Sequence, residues 1–230
     1  TGNLGTATTT VADSVTMTTT AAKATGKTIN DAELENATVV ITALDQTLAA
    51  DLSGITTNAV TAAFDADGTF TGNLGTATTT VADSVTMTAA YNVLNGKTVN
   101  HDGSESAQAL VVTIASADAA ADLSNITSDI TNLTANFSET QTFIGNLDSK
   151  TASVANDITV TATAADVTGD TIAAAGNGNI AVTALHSTLA ADLSGLSSST
   201  GAVTAAFDGT GTFTGNLGTA TTTVADSVTM

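Results

Sequence analysis

The seventeen residues TGNLGTATTTVADSVTM open the chain at Thr1, return letter for letter at Thr71, and return again over residues 214–230. A catalytic constellation is needed once, whereas a chain built by stacking or stringing units needs the same surface at a fixed period. The blocks begin at Thr1, Thr71, Ile144 and Thr214, which gives units 1–70, 71–143 and 144–213 and the start of a fourth at 214–230. Their lengths are therefore 70, 73 and 70 residues. Other landmarks keep the same phase. LAADLSGI (48–55) returns as AAADLSNI (119–126) and LAADLSGL (189–196), and TGKTIN (25–30) is answered by NGKTVN (95–100) and TGDTIA (168–173). The array reads as continuous, a window on a longer chain.

All six phenylalanines fall in pairs six residues apart: Phe64 with Phe70, Phe137 with Phe143, and Phe207 with Phe213. The Asp-Gly between the first pair marks a turn, so the two rings are expected to plug the core from neighbouring walls or coils. The segments around them, such as TATTTVADSVTMT (6–18), ATVVITA (37–43) and AVTAAF (59–64), are rich in Thr and Val, alternate polar with small or apolar residues, and are bounded by Gly, Asn and Asp. That is a strand pattern. Only Ala-rich pieces such as LDQTLAADL (44–52) favour a helical turn instead.

Two all-β architectures use such a unit. One is a parallel β-solenoid (β-helix), with about three coils of three strands per unit. The other is a string of small β-sandwiches. Seventy residues are few for a sandwich, which needs about 100, and no linker composition separates one unit from the next. Trp, Pro and Cys are absent, and aromatics make up only 3% of the chain. Stacked coils ~4.8 Å apart suit such thin aliphatic layers, so the solenoid is the expected fold. Equivalent residues of successive units would then stand three coils, ~15 Å, apart along the axis.

Charge narrows the function classes. Four Lys and no Arg face 22 acidic residues, a net charge of -18. Phosphate neutralisation needs clustered Lys or Arg, so nucleic acid is not an expected partner. No apolar run approaches the ~20 residues of a membrane span, so no membrane insertion is expected. An enzyme is not expected either: the two histidines, His101 and His186, lie at non-equivalent positions of different units, and nucleophilic catalysis needs a base oriented in a pocket. Calcium is the one cofactor considered. Asp65 and Asp67 of DADG place two carboxylates before a turn glycine, the opening of many calcium loops, but no acidic residue closes the loop at the required distance. Asx hydrogen bonding accounts for the same residues without an ion. Asp51, Asp122 and Asp192 recur in phase, as do Asp13, Asp83 and Asp226. They read as turn or cap residues, with lateral calcium bridges between fibres as the other reading.

The pieces VTMTAA (85–90), NGKT (95–98) and ITALDQTLAADLSGI (41–55) resemble very long Thr/Ala/Asp-rich repeat proteins that bacteria export as adhesins, surface-layer components or matrix fibres. The resemblance covers the whole chain and carries no site residues. It implies an extracellular or cell-surface location. The expected role is a structural protein that self-associates into a fibre, filament or layer. The alternative is the stalk or binding region of an adhesin, with glycans or a cell surface as partner.

Overall fold

A computed structural model describes residues 4–32, 36–103 and 107–230, so the first three residues of the opening copy lie outside it. The protein is all-β with mostly parallel strands, a β-solenoid of about ten turns of about 20 residues each. Two compact sets of residues can be separated: Thr1–Val111 with Asn125–Leu133, and Val112–Ser124 with Thr134–Met230.

In the first set the strands are β1 (Thr9–Val11), β2 (Thr16–Thr20), β3 (Ile29–Asp31), β4 (Thr38–Thr42), β5 (Ile55–Thr56), β6 (Ala59–Phe64), β7 (Gly68–Phe70), β8 (Thr78–Val81), β9 (Thr86–Ala90) and β10 (Val99–His101). They pair in the orders β1-β3-β5 and β10-β8-β6-β4-β2, with β7 beside β9. Strands β11 (Ala109–Ile114) and β12 (Asn132–Phe137) each have residues in both sets. The second set continues with β13 (Gln141–Phe143), β14 (Thr151–Val154), β15 (Thr159–Thr163), β16 (Ile172–Ala174), β17 (Asn179–Thr183), β18 (Leu196–Ser198), β19 (Val203–Phe207) and β20 (Thr221–Val224). Here the orders are β12-β14-β16-β18 and β13-β15-β17-β19-β20. Each pairing joins a strand to one about a turn later in the chain, in parallel. Tandem sandwiches, with separate antiparallel cores, are thereby excluded.

The alternation seen in the sequence is the alternation of burial. Val39 and Ile41 of β4 point inward, as do Val60, Ala62 and Phe64 of β6, while the residues between them lie at the surface. Volume is matched across turns. Ile41 lies over Ala62, Phe64 over Val81 and Phe70 over Ala89. In the second set Phe137 lies over Val154, Phe143 over Ala162 and Phe207 over Val224. A ring therefore meets a small or branched side chain in the next turn, which fills the column without a void. Phe137 and Phe143 meet edge to face, with centroids 5.1 Å apart and planes at 75°, from two different sheets as the pairing predicts.

Phe213 departs from the expectation of a core plug, for it is only half-buried, whereas the other five are fully buried. Phe70 and Phe143 are each covered by the alanine 19 residues further on, and for Phe213 that position lies past Met230.

Two further expectations change. A turn is not three equal strands: two long strands alternate with a third side that takes whatever its residues allow. That side is a single helical turn at α1 (Ala21–Ala24), α2 (Tyr91–Leu94) and α3 (Ala164–Val167), and a 3-10 turn at Ser116–Asp118 and Leu185–Ser187. Ala-rich segments with few β-branched residues lose little as a helix. At α3 a capping box reinforces the start: the Thr163 hydroxyl accepts from the Asp166 N–H (3.3 Å) and the Asp166 carboxylate accepts from the Thr163 N–H (3.2 Å). Nor do the copies stack in phase. β1 and its copy β8 stand in different sheets of the first set, and β14 and its counterpart β20 in different sheets of the second. A unit is thus not a whole number of turns. Turn length also varies, since the Thr61–Thr78 pair spans 17 residues and the Ile29–Ile55 pair 26. The walls keep register and the corners absorb the difference.

Glycine is obligatory where a corner passes against the turn before it. A Cβ on Gly72, Gly145 or Gly215 would sit on the carbonyl oxygen of Ala50, Ala121 or Ala191, which already accepts the N–H of the following asparagine at 2.8, 2.8 and 2.9 Å. Gly145→Ala should therefore lower stability by about 3 kcal/mol, read from the urea midpoint. The opposite change is expected at Thr79. Its hydroxyl is fully buried with no partner, and the third unit has Ala152 at that position. Thr79→Ala should raise stability by about 1 kcal/mol by removing an unsatisfied buried group.

Candidate functional site

The in-phase aspartates are corner residues. Asp51 Oδ1 accepts the Ser53 N–H (3.0 Å) and hydroxyl (2.6 Å), and Asp122 does the same with Ser124 at 3.1 and 2.6 Å. Asp192 accepts the Ser194 N–H at 3.1 Å or less, at 3.0 Å. Each forms a parallel bridge with an asparagine one turn later: Asp51 with Asn73, Asp122 with Asn146 and Asp192 with Asn216. These asparagines make Asx turns of their own, accepting from Gly75 N–H (2.9 Å), Asp148 N–H (2.9 Å) and Gly218 N–H (3.1 Å). One turn earlier, the hydroxyls of Thr25 and Thr168 accept the N–H groups of Asp51 and Asp192, both at 2.8 Å. The corner is a stack of Thr, Asp and Asn, each serving the backbone that a strand would otherwise leave unpaired.

The expectation of turn or cap residues for Asp51, Asp122 and Asp192 matches this geometry. The roles of Thr25, Thr168 and the three asparagines went unread in the sequence, although their fixed phase was the available signal. Two of the lysines also serve a corner: Lys27 Nζ donates to the Gly5 carbonyl and Lys97 Nζ to that of Gly75, both at 2.6 Å. The third unit places Asp170 at the lysine's position, half-buried, where desolvation raises its pKa.

Asp65 and Asp67 are exposed. The Asp67 carboxylate accepts the Thr86 N–H at 2.7 Å, capping the start of β9 in the next turn. In the second unit the Thr140 hydroxyl does the same for Thr159, at 3.1 Å. A hydroxyl can replace the carboxylate in this role, so the role asks for an acceptor rather than a charge. Among the described residues no three His, Asp or Glu side chains converge as a metal site.

Both histidines pair with an aspartate one turn on. The His101 N–H donates to Asp129 (2.7 Å) and its ring lies 3.5 Å from the same carboxylate. The His186 ring bonds Asp208 through Nδ1, and the Ser187 hydroxyl lies 3.1 Å from Nε2. The order hydroxyl, imidazole, carboxylate is that of a hydrolytic relay. The neighbouring N–H groups of Ser187 and Thr188, however, already bond the carbonyls of Ala184 and Leu185 at 3.0 and 3.1 Å, so they are not available to stabilise an oxyanion.

Hydrogen bonds set the acid response of the corner. The Ser hydroxyl first, and then the Ser N–H, hold the pKa values of Asp51, Asp122 and Asp192 below the ordinary carboxylate range. A carboxylate depressed in the folded state contributes stability that is present above its unfolded value, about 4, and lost as pH falls through the lower folded value. Between pH 7 and 2 the urea midpoint of the native chain should therefore decline below about pH 4. In the triple variant Ser53→Ala, Ser124→Ala, Ser194→Ala, this contribution to the decline should be smaller, leaving a shallower acid limb.

No family model, curated protein or solved structure matches the chain, and a functional reading rests on the geometry of the repeats.

Proposed function

We propose that this chain is a structural segment of an extracellular fibre, surface layer or matrix filament, working by end-to-end or lateral association of its repeats. The observation that carries the reading is the state of the sheet edges. Among the described residues β1, β2 and β20 each pair with a strand on one side only, and apolar Val15, Val224 and Met230 are exposed near them at 46%, 46% and 42%. Edges of monomeric sheet proteins are commonly blunted by proline, lysine or bulges. This chain has no proline and only four lysines. An open parallel edge is a template for a further strand, so association along the coil direction follows from the fold. The acidic exterior, at -18, would oppose lateral contact unless screened or bridged by cations.

A second reading, the stalk or glycan-binding region of an adhesin, is favoured by one shallow cleft. It is lined by Gly72, Asn73, Asn92, Val93, Asn95 and Lys97, where amide side chains match sugar hydroxyls.

Electron microscopy of the chain at neutral pH, with calcium and then with chelator, separates the two. Uniform filaments are the expected result, and filaments that shorten or unbundle in chelator would assign lateral contact to cations. Particles of constant length at all concentrations would overturn the fibre reading and leave the chain a spacer.

A further inference from the structure

Resting on the fibre reading, we propose that the edge of β19 is a seat for the opening copy of a second chain, so that chains join head to tail by exchanging identical segments. The seat already holds such a copy. Thr204, Ala205, Ala206 and Phe207 pair with Thr221, Thr222, Thr223 and Val224, and the Phe207 carbonyl accepts the Ala225 N–H at 3.0 Å. The same arrangement occurs in the first set of residues. β8 lies on β6 with Phe64 over Val81, and the Phe64 carbonyl accepts the Ala82 N–H at 3.1 Å. The two seats have the same sequence, VTAAF at 60–64 and at 203–207, and the segments on them are spelled alike.

Residues 1–17 carry that spelling too. In the seat on β6 the copy is paired on both edges, because β8 stands between β6 and β10. β1 is the corresponding strand of the opening copy and pairs with β3 alone. Its other edge is the one by which β8 meets β6. The β19 seat therefore cannot distinguish residues 214–230 of its own chain from residues 1–17 of another, because every side chain and every backbone group it contacts is the same.

The energetics favour exchange once chains meet. Contacts made to β19 cancel between the resident and the incoming copy. What differs is the outer side. On β20 the far edge is bare and Val224 is 46% exposed, whereas Val81, held between two turns, is fully buried. An incoming β1 brings β3 already paired behind it, so a junction closes the open edge of β1 and replaces the half-covered β20. The solenoid then runs from residue 213 of one chain to residue 1 of the next with the register of the 70-to-71 junction. This is strand exchange between identical elements, which forms a heterologous contact and leads to open filaments rather than closed dimers.

The chain has no cysteine, so a single disulfide can report the register. Thr204 pairs with Thr221, and Thr221 corresponds to Thr8 of the opening copy because 221 minus 213 is 8. Full-length Thr8→Cys and Thr204→Cys chains are mixed and mildly oxidised, then run without reductant, with electron microscopy of the same sample. The expected result is a covalent pair joining position 8 of one chain to position 204 of the other, mapped by mass spectrometry and absent from either chain alone. Filaments without that link would overturn the exchange while leaving the fibre reading standing. Neither filaments nor link would overturn both.

Discussion

Every feature of this protein is subordinate to the hydrogen-bonded contact between one turn and the next. Parallel strands hold successive turns ~4.8 Å apart, and at that spacing an inward side chain shares its column with the residue a turn before and the residue a turn after. Two large groups cannot follow one another in a column, and two small ones leave a gap. The chain answers with aliphatic residues and with rings placed over Ala or Val, as at Phe70 over Ala89 and Phe143 over Ala162. The absence of Trp belongs to the same constraint, since an indole has no column wide enough. So does the glycine at 72, 145 and 215, where the backbone of one turn presses against a carbonyl of the turn before.

Walls satisfy their own backbone, and corners need help. Short polar side chains supply it, with Thr25, Asp51 and Asn73 stacked in one place and Thr168, Asp192 and Asn216 in another. The acidity of the chain is in part a by-product of this work: an aspartate at a corner is retained for its acceptor oxygen, and its charge faces solvent. Thr140 standing in for Asp67 shows the acceptor and the charge coming apart. Long-range attraction between opposite charges contributes little to such a structure, because four cations cannot neutralise 22 anions and exposed pairs are worth little in water.

Periodicity made the fold legible. The seventeen-residue copies, the paired phenylalanines and the alternating Thr and Val were enough to select a parallel solenoid over a string of sandwiches, because those features report directly on walls. Phase was harder to read. The length of a unit is visible, but the length of a turn depends on how much chain each corner takes up, and corner composition does not count residues. The third side was unreadable for a similar reason. Residues 21–24, 91–94 and 164–167 carry too few residues to show a helical period, and only Thr163 with Asp166 left a cap to recognise. Of the candidate site, the in-phase aspartates were visible, while their partners lay 22 to 26 residues away in sequence, across a turn whose length was unknown.

The tolerance of turn length, from 17 to 26 residues between paired strands, has a genetic consequence. A deletion inside a wall displaces every inward residue after it to the outer face, because strand side chains alternate with a period of two, and it sets ring over ring in the columns. The same deletion at a corner changes only the path between walls. Such a chain can lengthen by whole duplicated units and diverge at its corners while its walls stay fixed, so the corners are the places where foreign sequence can be carried on the surface without disturbing the stack.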